Sequence, residues 1–314
     1  MTEPRRPQVV PDPALPGRVT IYEVGPRDGL QNEDAVVPAE VKVGLVERLL
    51  DAGLPVVEAT SLVHPRWVPQ LADAAEVLGA LVDRLGDRAR DLPVLVPNER
   101  GLDRAEELGL RHVAVFASAT ESFARRNLNR SLDEQYAMFE PVVARARAAG
   151  MRVRAYVSMC FGDPWEGNVP VQQVVAAASR LMDLGAHELS LGDTIGVGTP
   201  GHVVALLDAL NAAGLPDDVL ALHAHDTYGQ ALANVAAALR HGVTTFDASA
   251  GGLGGCPYAE SATGNLATED LVWMLDGLGV ETGVSLPRLV EASAWLEPHL
   301  DHGLTSRTYR ALHG

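Results

Sequence analysis

The chain has 314 residues, enough for one large α/β domain or two ordinary ones. Hydrophobic residues make up 47% and charged residues 21%, a balance that supports a sizeable core and excludes a disordered chain. The formal net charge of −16 argues against a general nucleic-acid surface, and no apolar run approaches the roughly 18 residues of a membrane span. Two cysteines, Cys160 and Cys256, make no disulfide framework, so a reduced, cytoplasmic setting is expected. Residues 1–17 contain Pro4, Pro7, Pro11, Pro13 and Pro16 and no apolar core of a signal peptide. They are expected to form a flexible leader, with a single folded unit over residues 18–314.

In chain order, Val19–Val24 reads as a strand and Gly25–Gly29 as a loop. Pro38–Ala52 carries apolar residues at helical spacing and is stopped by Gly53. A short strand over Val56–Ala59 includes Glu58, and a helix is predicted over Val68–Leu85. Strands then precede helices in alternation: Val94–Val96 before Glu99–Leu108, Val113–Ala117 before Leu132–Ala149, and Val153–Ser158 before Val171–Leu184. The pattern continues with Glu188–Leu191 before Pro200–Ala213, Val219–Ala224 before Tyr228–His241, and Thr245–Ala248 before Thr268–Leu278. Gly53, Gly109, Gly150, Gly185, Gly214, Gly242 and Gly279 follow helices, where glycine tolerates the left-handed cap. Eight strand–helix units in series predict a closed (β/α)8 barrel, the TIM barrel, over an open doubly wound sheet; no G-x-G-x-x-G follows the first strand. Residues 285–314 are expected to add a helix or two outside the barrel.

The seventh strand ends in His223-Ala224-His225-Asp226, and a helix follows. Side chains at i and i+2 on a strand share a face, so two imidazoles can hold one ion at the barrel's C-terminal rim. Other polar residues fall at strand ends: Arg27, Asp28 and Gln31 after the first, Glu58 and His64 at the second, Ser190 and Asp193 at the sixth, and Asn265 beyond the eighth. A carboxylate, two imidazoles and an amide oxygen suit Mg2+ or Mn2+, with zinc also open. Each residue has an ordinary alternative: turn formation for Asp28 and Asn265, a surface position for Arg27, caps or rim ion pairs for Glu58 and Asp193. Cys256 stands in Gly251-Gly252-Leu253-Gly254-Gly255-Cys256, an odd place to pack a core. A thiol on a glycine-rich, mobile loop beside a metal can serve as acid or base.

Four stretches carry a wider resemblance: VGPRDGLQNE at 24–33, SLGDTIGVGTPG at 190–201, LHAHDTYGQALAN at 222–234 and AGGLGGCPYAESATGNLATEDL at 250–271, with SLVHPRWVPQL at 61–71 beside them. In this order they resemble the 3-hydroxy-3-methylglutaryl-CoA lyase family, from about Val19 to about Leu296. The resemblance implies a metal-dependent (β/α)8 lyase barrel. It also implies Asp28, His223, His225 and Asn265 as ligands of a divalent ion, Mg2+ or Mn2+. Arg27 looks like the arginine that stabilises an enolate, Glu58 like the acid that supports it, Asp193 like an acid that orients neighbours, and Cys256 like the thiol of the catalytic loop. Asp28 or His223 would act as base, and Cys256 or His223 would return the proton.

The implied reaction is cleavage of 3-hydroxy-3-methylglutaryl-CoA to acetyl-CoA and acetoacetate. Gln31 and Ser190 are candidate substrate contacts, and Arg66, Arg125 and Arg126 are candidate cations for the coenzyme's phosphates, with Arg130 beside them. Two features depart from the family's pattern: Asp34 stands where a lysine is usual, and Met159 and Asp163 stand where cysteines are frequent. Asp34 keeps open a related 3-hydroxy-3-alkylglutaryl-CoA as substrate. An aldolase acting on 4-hydroxy-2-oxo acids and a non-catalytic acyl-CoA-binding barrel are the remaining alternatives. The expected partners are an acyl-CoA and a second copy of the chain, since homodimers are the commonest oligomers; neither nucleic acid nor membrane is expected.

Overall fold

The computed structural model describes residues 7–255 and 264–313. Its sheet is parallel throughout. Strand β1 (Thr20–Glu23) pairs with β2 (Val56–Val57 and Thr60–Ser61) on one side and with β8 (Thr245–Ala248) on the other. From β8 the order runs back through β7 (Leu220–Ala224), β6 (Glu188–Asp193), β5 (Arg152–Ser158) and β4 (His112–Ser118) to β3 (Val94–Leu95). Strand β2 closes the ring in two pieces: Val56–Val57 pairs with β1, and Thr60–Ser61 pairs with β3. Between them, the Glu58 N–H donates to the Glu23 carbonyl at 2.9 Å and the Ala59 N–H to the Pro93 carbonyl at 3.0 Å. The expected eight-stranded (β/α)8 barrel is therefore the architecture found. Glu58 sits inside β2, at the change of partner, rather than near the strand's end.

The helices lie where apolar periodicity placed them, with three corrections. Helix α1 spans Ala39–Asp51, but α2 begins at Ala74, because Pro69–Leu71 form a separate 3-10 turn that opens on the proline. Helix α3 (Glu99–Glu107) is followed by α4 (Glu121–Leu128), which was not predicted; it buries only Phe123 and Ala124, too little to write a helical stripe. Helices α5 (Leu132–Ala148), α6 (Val171–Leu184) and α7 (Pro200–Ala212) match their patterns. Helix α8 starts at Ala231 rather than Tyr228, and the Asp226 carboxylate accepts the Ala231 N–H at 3.0 Å. After α9 (Thr268–Leu278), α10 (Leu286–Leu296) and α11 (Arg307–His313) form the C-terminal extension.

Most buried apolar side chains pack between the sheet and the helices. A second, small apolar set, Leu95, Ala114 and Tyr156 with Phe116 against it, lies apart. Alternation along each strand puts its residues on the face that also carries Tyr22, Arg154, Ser190, His223 and Asp247. Contacts among these polar groups close across the ring, so this barrel interior is charged where branched aliphatic layers are usual. Residues ahead of β1 lie against α9 and α8: the Val10 N–H donates to the Gly277 carbonyl at 2.9 Å, and Asp12 pairs with Arg240 at 2.9 Å. The C-terminal segment returns to the rim. There the N–H groups of Thr305 and Ser306 donate to the Gly251 carbonyl, and His302 meets Glu33 at 2.7 Å.

Candidate active site

The rim site begins with the turn after β1. Residues Gly25–Gly29 form a single wide turn in which the Val24 carbonyl accepts the N–H groups of Asp28, at 2.7 Å, and Gly29, at 3.2 Å. That turn aims two neighbouring side chains at the barrel mouth. The Arg27 guanidinium donates through Nε to Glu58 Oε2 at 2.7 Å and through Nη1 to Asp28 Oδ1 at 2.5 Å. Glu58 Oε2 also accepts the Tyr156 hydroxyl at 3.0 Å, and Arg27 lies 5.1 Å from the Tyr156 ring centroid. Gln31 Nε2 approaches Asp28 Oδ1 at 3.3 Å.

Asp28 turns its other oxygen to the ring's far side. Asn265 Nδ2 donates to Asp28 Oδ2 at 2.9 Å and to the Leu253 carbonyl at 3.0 Å. His223, on β7, and His225, just beyond it, point their Nε2 atoms at each other at 3.2 Å, and His223 Nε2 is 3.9 Å from Asp28 Oδ2. One donor atom from each of Asp28, His223 and His225 falls within 4.8 Å of the others, the one such group among the described residues. His225 Nδ1 and Asn265 Oδ1 are buried without a hydrogen-bond partner there. Converging lone pairs and an orphaned amide oxygen fit a divalent cation, because a buried acceptor without a donor is otherwise costly.

The electrostatics suit ligation. Burial pushes the Asp28 carboxyl up, but Arg27, then His223 and His225, outweigh it and hold it at about 2. Burial, with His223 beside it, lowers the His225 imidazole to about 4, so it stays neutral as a metal ligand must. Burial raises Glu58 despite the arginine that pairs with it. Burial also raises the Asp193 carboxyl to about 6; that carboxylate accepts the Gly198 N–H at 3.0 and 3.1 Å. The partner of His223 Nδ1 is instead Asp247, at 3.2 Å.

The backbone around Asn265 admits no side chain at one point. A Cβ on Gly264 would stand 2.2 Å from the carbonyl oxygens of both Gly252 and Gly254. The two legs of the glycine-rich segment thus cross in contact, which carries Asn265 to Asp28. Cys256 itself lies outside the described residues.

A family model described as HMGL-like matches residues 18–296. The chain belongs to this family. It is 50% identical over 297 residues to the mitochondrial hydroxymethylglutaryl-CoA lyase of Bos taurus, covering 95% of this chain and 90% of that one. It is 48% identical over 282 residues to the cytoplasmic 3-hydroxy-3-methylglutaryl-CoA lyase of Rattus norvegicus, covering 90% and 81%. Among solved structures, the hydroxymethylglutaryl-CoA lyase from Pseudomonas aeruginosa superposes with a TM-score of 0.91 at 46% identity, covering 96% of this chain and 99% of that one. The HMGL-like family is divalent-metal-dependent, and the Asp28–His223–His225 group is a possible metal site.

The remaining residues singled out from the sequence scatter. Ser190 is buried on β6 and donates to Asp247 Oδ2 at 2.7 Å. Arg66 is exposed on the loop after β2, where its N–H meets His64 Nδ1 at 3.2 Å. Arg125 pairs with Glu121 on the same helix at 2.6 Å, and Arg126 stacks over Trp165 at 4.3 Å. Asp34 is exposed. Asp163, at a position where the family often has cysteine, is a buried turn former: it accepts the Thr120 hydroxyl at 2.6 Å and the N–H groups of Trp165 and Glu166. Sequence reasoning missed Tyr156, Arg154 and Asp247, which lie inside strands and show their role only through partners on other strands. The one available signal was a charged residue at the middle of a short apolar strand.

Proposed function

We propose that this chain cleaves 3-hydroxy-3-methylglutaryl-CoA to acetyl-CoA and acetoacetate. It is a carbon–carbon lyase of the HMGL-like family. The observation that carries the substrate reading is the joining of a buried arginine to the ligand cluster: Arg27 bonds Asp28 directly while Glu58 and Tyr156 hold it from behind. A divalent ion held by Asp28, His223, His225 and Asn265, for which Mg2+ or Mn2+ is proposed, would act as a Lewis acid and lower the pKa of the substrate's C3 hydroxyl. Asp28 is the proposed base for that proton, since its carboxylate keeps lone pairs beyond the one given to the ion; His223, the other candidate, would have none free with its Nε2 on the ion and its Nδ1 facing Asp247. The C3–O bond then becomes the ketone of acetoacetate, the C2–C3 bond breaks, and its electron pair moves to C2 and the thioester oxygen. Arg27 is the fixed cation for that oxyanion, a role worth about 3–4 kcal/mol. Cys256 is proposed to return a proton to C2, and Asp193 to hold the loop after β6 through Gly198.

Arg66, Arg125 and Arg126 are the proposed cations for the coenzyme's phosphates, with Gln31 at the acyl end. Ser190 is assigned to Asp247 instead, because its hydroxyl points there. Reversing the charge at Arg125 and Arg126 together is expected to raise KM for the acyl-CoA, and an unchanged KM would remove both from the site. No helix among the described residues is long and apolar enough to cross a membrane. A cytoplasmic homo-oligomer is the proposed working form, to be read by cell fractionation and light scattering.

The deciding experiment is acetyl-CoA release from 3-hydroxy-3-methylglutaryl-CoA by metal-stripped protein, with Mg2+ or Mn2+ added back and Cys256→Ala and Asp28→Ala as controls. Metal-dependent turnover lost in both variants is expected. Absence of turnover by folded, metal-loaded protein would overturn the substrate reading.

A further inference from the structure

Below the rim site the barrel interior holds a second set of charges that the proposed reaction does not use. Asp247, on β8, is fully enclosed, with 2% of its surface exposed. Its Oδ2 meets His223 Nδ1 at 3.2 Å and accepts the Ser190 hydroxyl at 2.7 Å, while Oδ1 binds Arg154 Nη2. Arg154, on β5, is 5% exposed, pairs through Nη1 with Glu188 at 2.9 Å and lies 3.7 Å over the Tyr22 ring. The three strands that carry Ser190, His223 and Asp247 are neighbours, and His223 and Asp247 are direct register partners.

A buried arginine and carboxylate are costly to desolvate and are retained where they set a geometry. An ionised carboxylate only accepts hydrogen bonds, so the His223 ring must carry its proton on Nδ1. The Nε2 lone pair then points at Asp28 and His225. We propose that Asp247, held by Arg154 and Ser190, is the positioning residue that selects the His223 tautomer able to bind a divalent cation. This inference rests on the ligand set of the proposed function. It adds the groups that prepare one ligand, a role that outer partners of metal-bound histidines commonly have.

The substitution Asp247→Asn tests it, because the arginine decides how an amide would sit. Arg154 accepts nothing, so it demands the amide oxygen, which turns the amide NH2 toward His223. The imidazole must then accept at Nδ1 and carry its proton on Nε2, where it blocks the ion. The same inversion follows when the carboxylate of a Ser-His-Asp triad becomes an amide.

The first measurement needs no variant. Nitrogen-15 NMR of the full chain labelled at histidine, recorded with Mg2+ and after its removal, reads the tautomer of His223 directly, with a His223→Gln sample to assign the signal. The proton is expected on Nδ1 in both states. A metal-free wild-type chain with His223 protonated on Nε2 would overturn the proposal. The second measurement is Mn2+ binding by calorimetry to Asp247→Asn, with Glu188→Gln as a control that leaves the Asp247 carboxylate in place. Asp247→Asn is expected to weaken binding about 10–100-fold and to move the proton to Nε2, and the control to change little. Wild-type affinity in a folded Asp247→Asn protein would also overturn it. Failure of the wild type to bind Mn2+ at all, with the proton on Nδ1, would count against the ligand set and leave the tautomer assignment standing.

Discussion

Glu269 offers a quantitative test of how the site's framework is held. It lies near the start of α9 with no exposed surface, accepts the Gly251 N–H with both oxygens at 3.0 Å, and accepts the Ser293 hydroxyl. Burial, partly offset by Ser293 and the backbone donors, raises its carboxyl from the ordinary 4.5 to about 7. Between those two values the native state binds more protons than the unfolded chain, so stability falls as pH rises through that window. The difference of 2.5 pH units, 7 minus 4.5, at ~1.4 kcal/mol per unit corresponds to about 3–4 kcal/mol, present below pH 4.5 and gone above pH 7. Glu269→Gln removes the ionisation and keeps the shape, with the amide oxygen facing Gly251 and the Ser293 hydroxyl reversing its role. Urea unfolding at constant ionic strength from pH 5 to pH 8, which covers most of that window, should show wild type losing about 2–3 kcal/mol more than the variant. Glu23, raised to about 7 mainly by burial, grips the adjacent Ala250 N–H in both proteins, so most of its own loss is common to them; the Glu269 charge, the smallest cause of its shift, adds to the difference in the same direction. Parallel pH profiles for the two proteins would refute the reasoning.

Three further outcomes are expected. Arg27→Met should lower kcat by about 10²–10³ with an unchanged circular dichroism spectrum, since the oxyanion would lose its cation; near-wild-type kcat would move that role elsewhere. Gly264→Ala should weaken Mn2+ binding about 10-fold or more in a calorimetric titration, because the new Cβ must push apart the two legs that carry Asn265. Wild-type affinity would mean that Asn265 is not held through this crossing. Asp73→Ala should destabilise the fold by about 3–5 kcal/mol in urea, because it strips the carboxylate from the fully buried Lys42 ammonium, 2.6 Å away. A loss under about 1 kcal/mol would show that the Gln70 carbonyl alone satisfies Lys42.

The barrel was legible because its rule is local. Most helices show a stripe set by their own spacing, most stops show a glycine, and eight repeats of strand and helix leave few closed arrangements. The break in β2 was not legible, since the strand passes from β1 to β3 between Glu58 and Ala59 and neither contact is near in sequence. Helix α4 escaped because only Phe123 and Ala124 turn inward along it. Rim residues were legible for a related reason: Arg27, Asp28, His223 and His225 interrupt strand ends with polar groups that a core strand would not place there. Arg66, Arg125 and Arg126 stand out in the sequence by charge alone, and the structure leaves them on the surface with local contacts.

What the sequence determined by itself was therefore periodic or terminal: the β/α alternation, the helix ends, and the polar residues at strand tips. Tertiary structure alone decided which of those tips share a site and what stands behind them. Asp247 reads in sequence as one acid in a short strand. It acquires a role only when β5, β6, β7 and β8 close side by side and bring Arg154, Ser190 and His223 to its two oxygens. Those partners are 93, 57 and 24 residues away along the chain. A side chain's local pattern records whether it faces inward, and the groups it will meet there are set by the register of the ring.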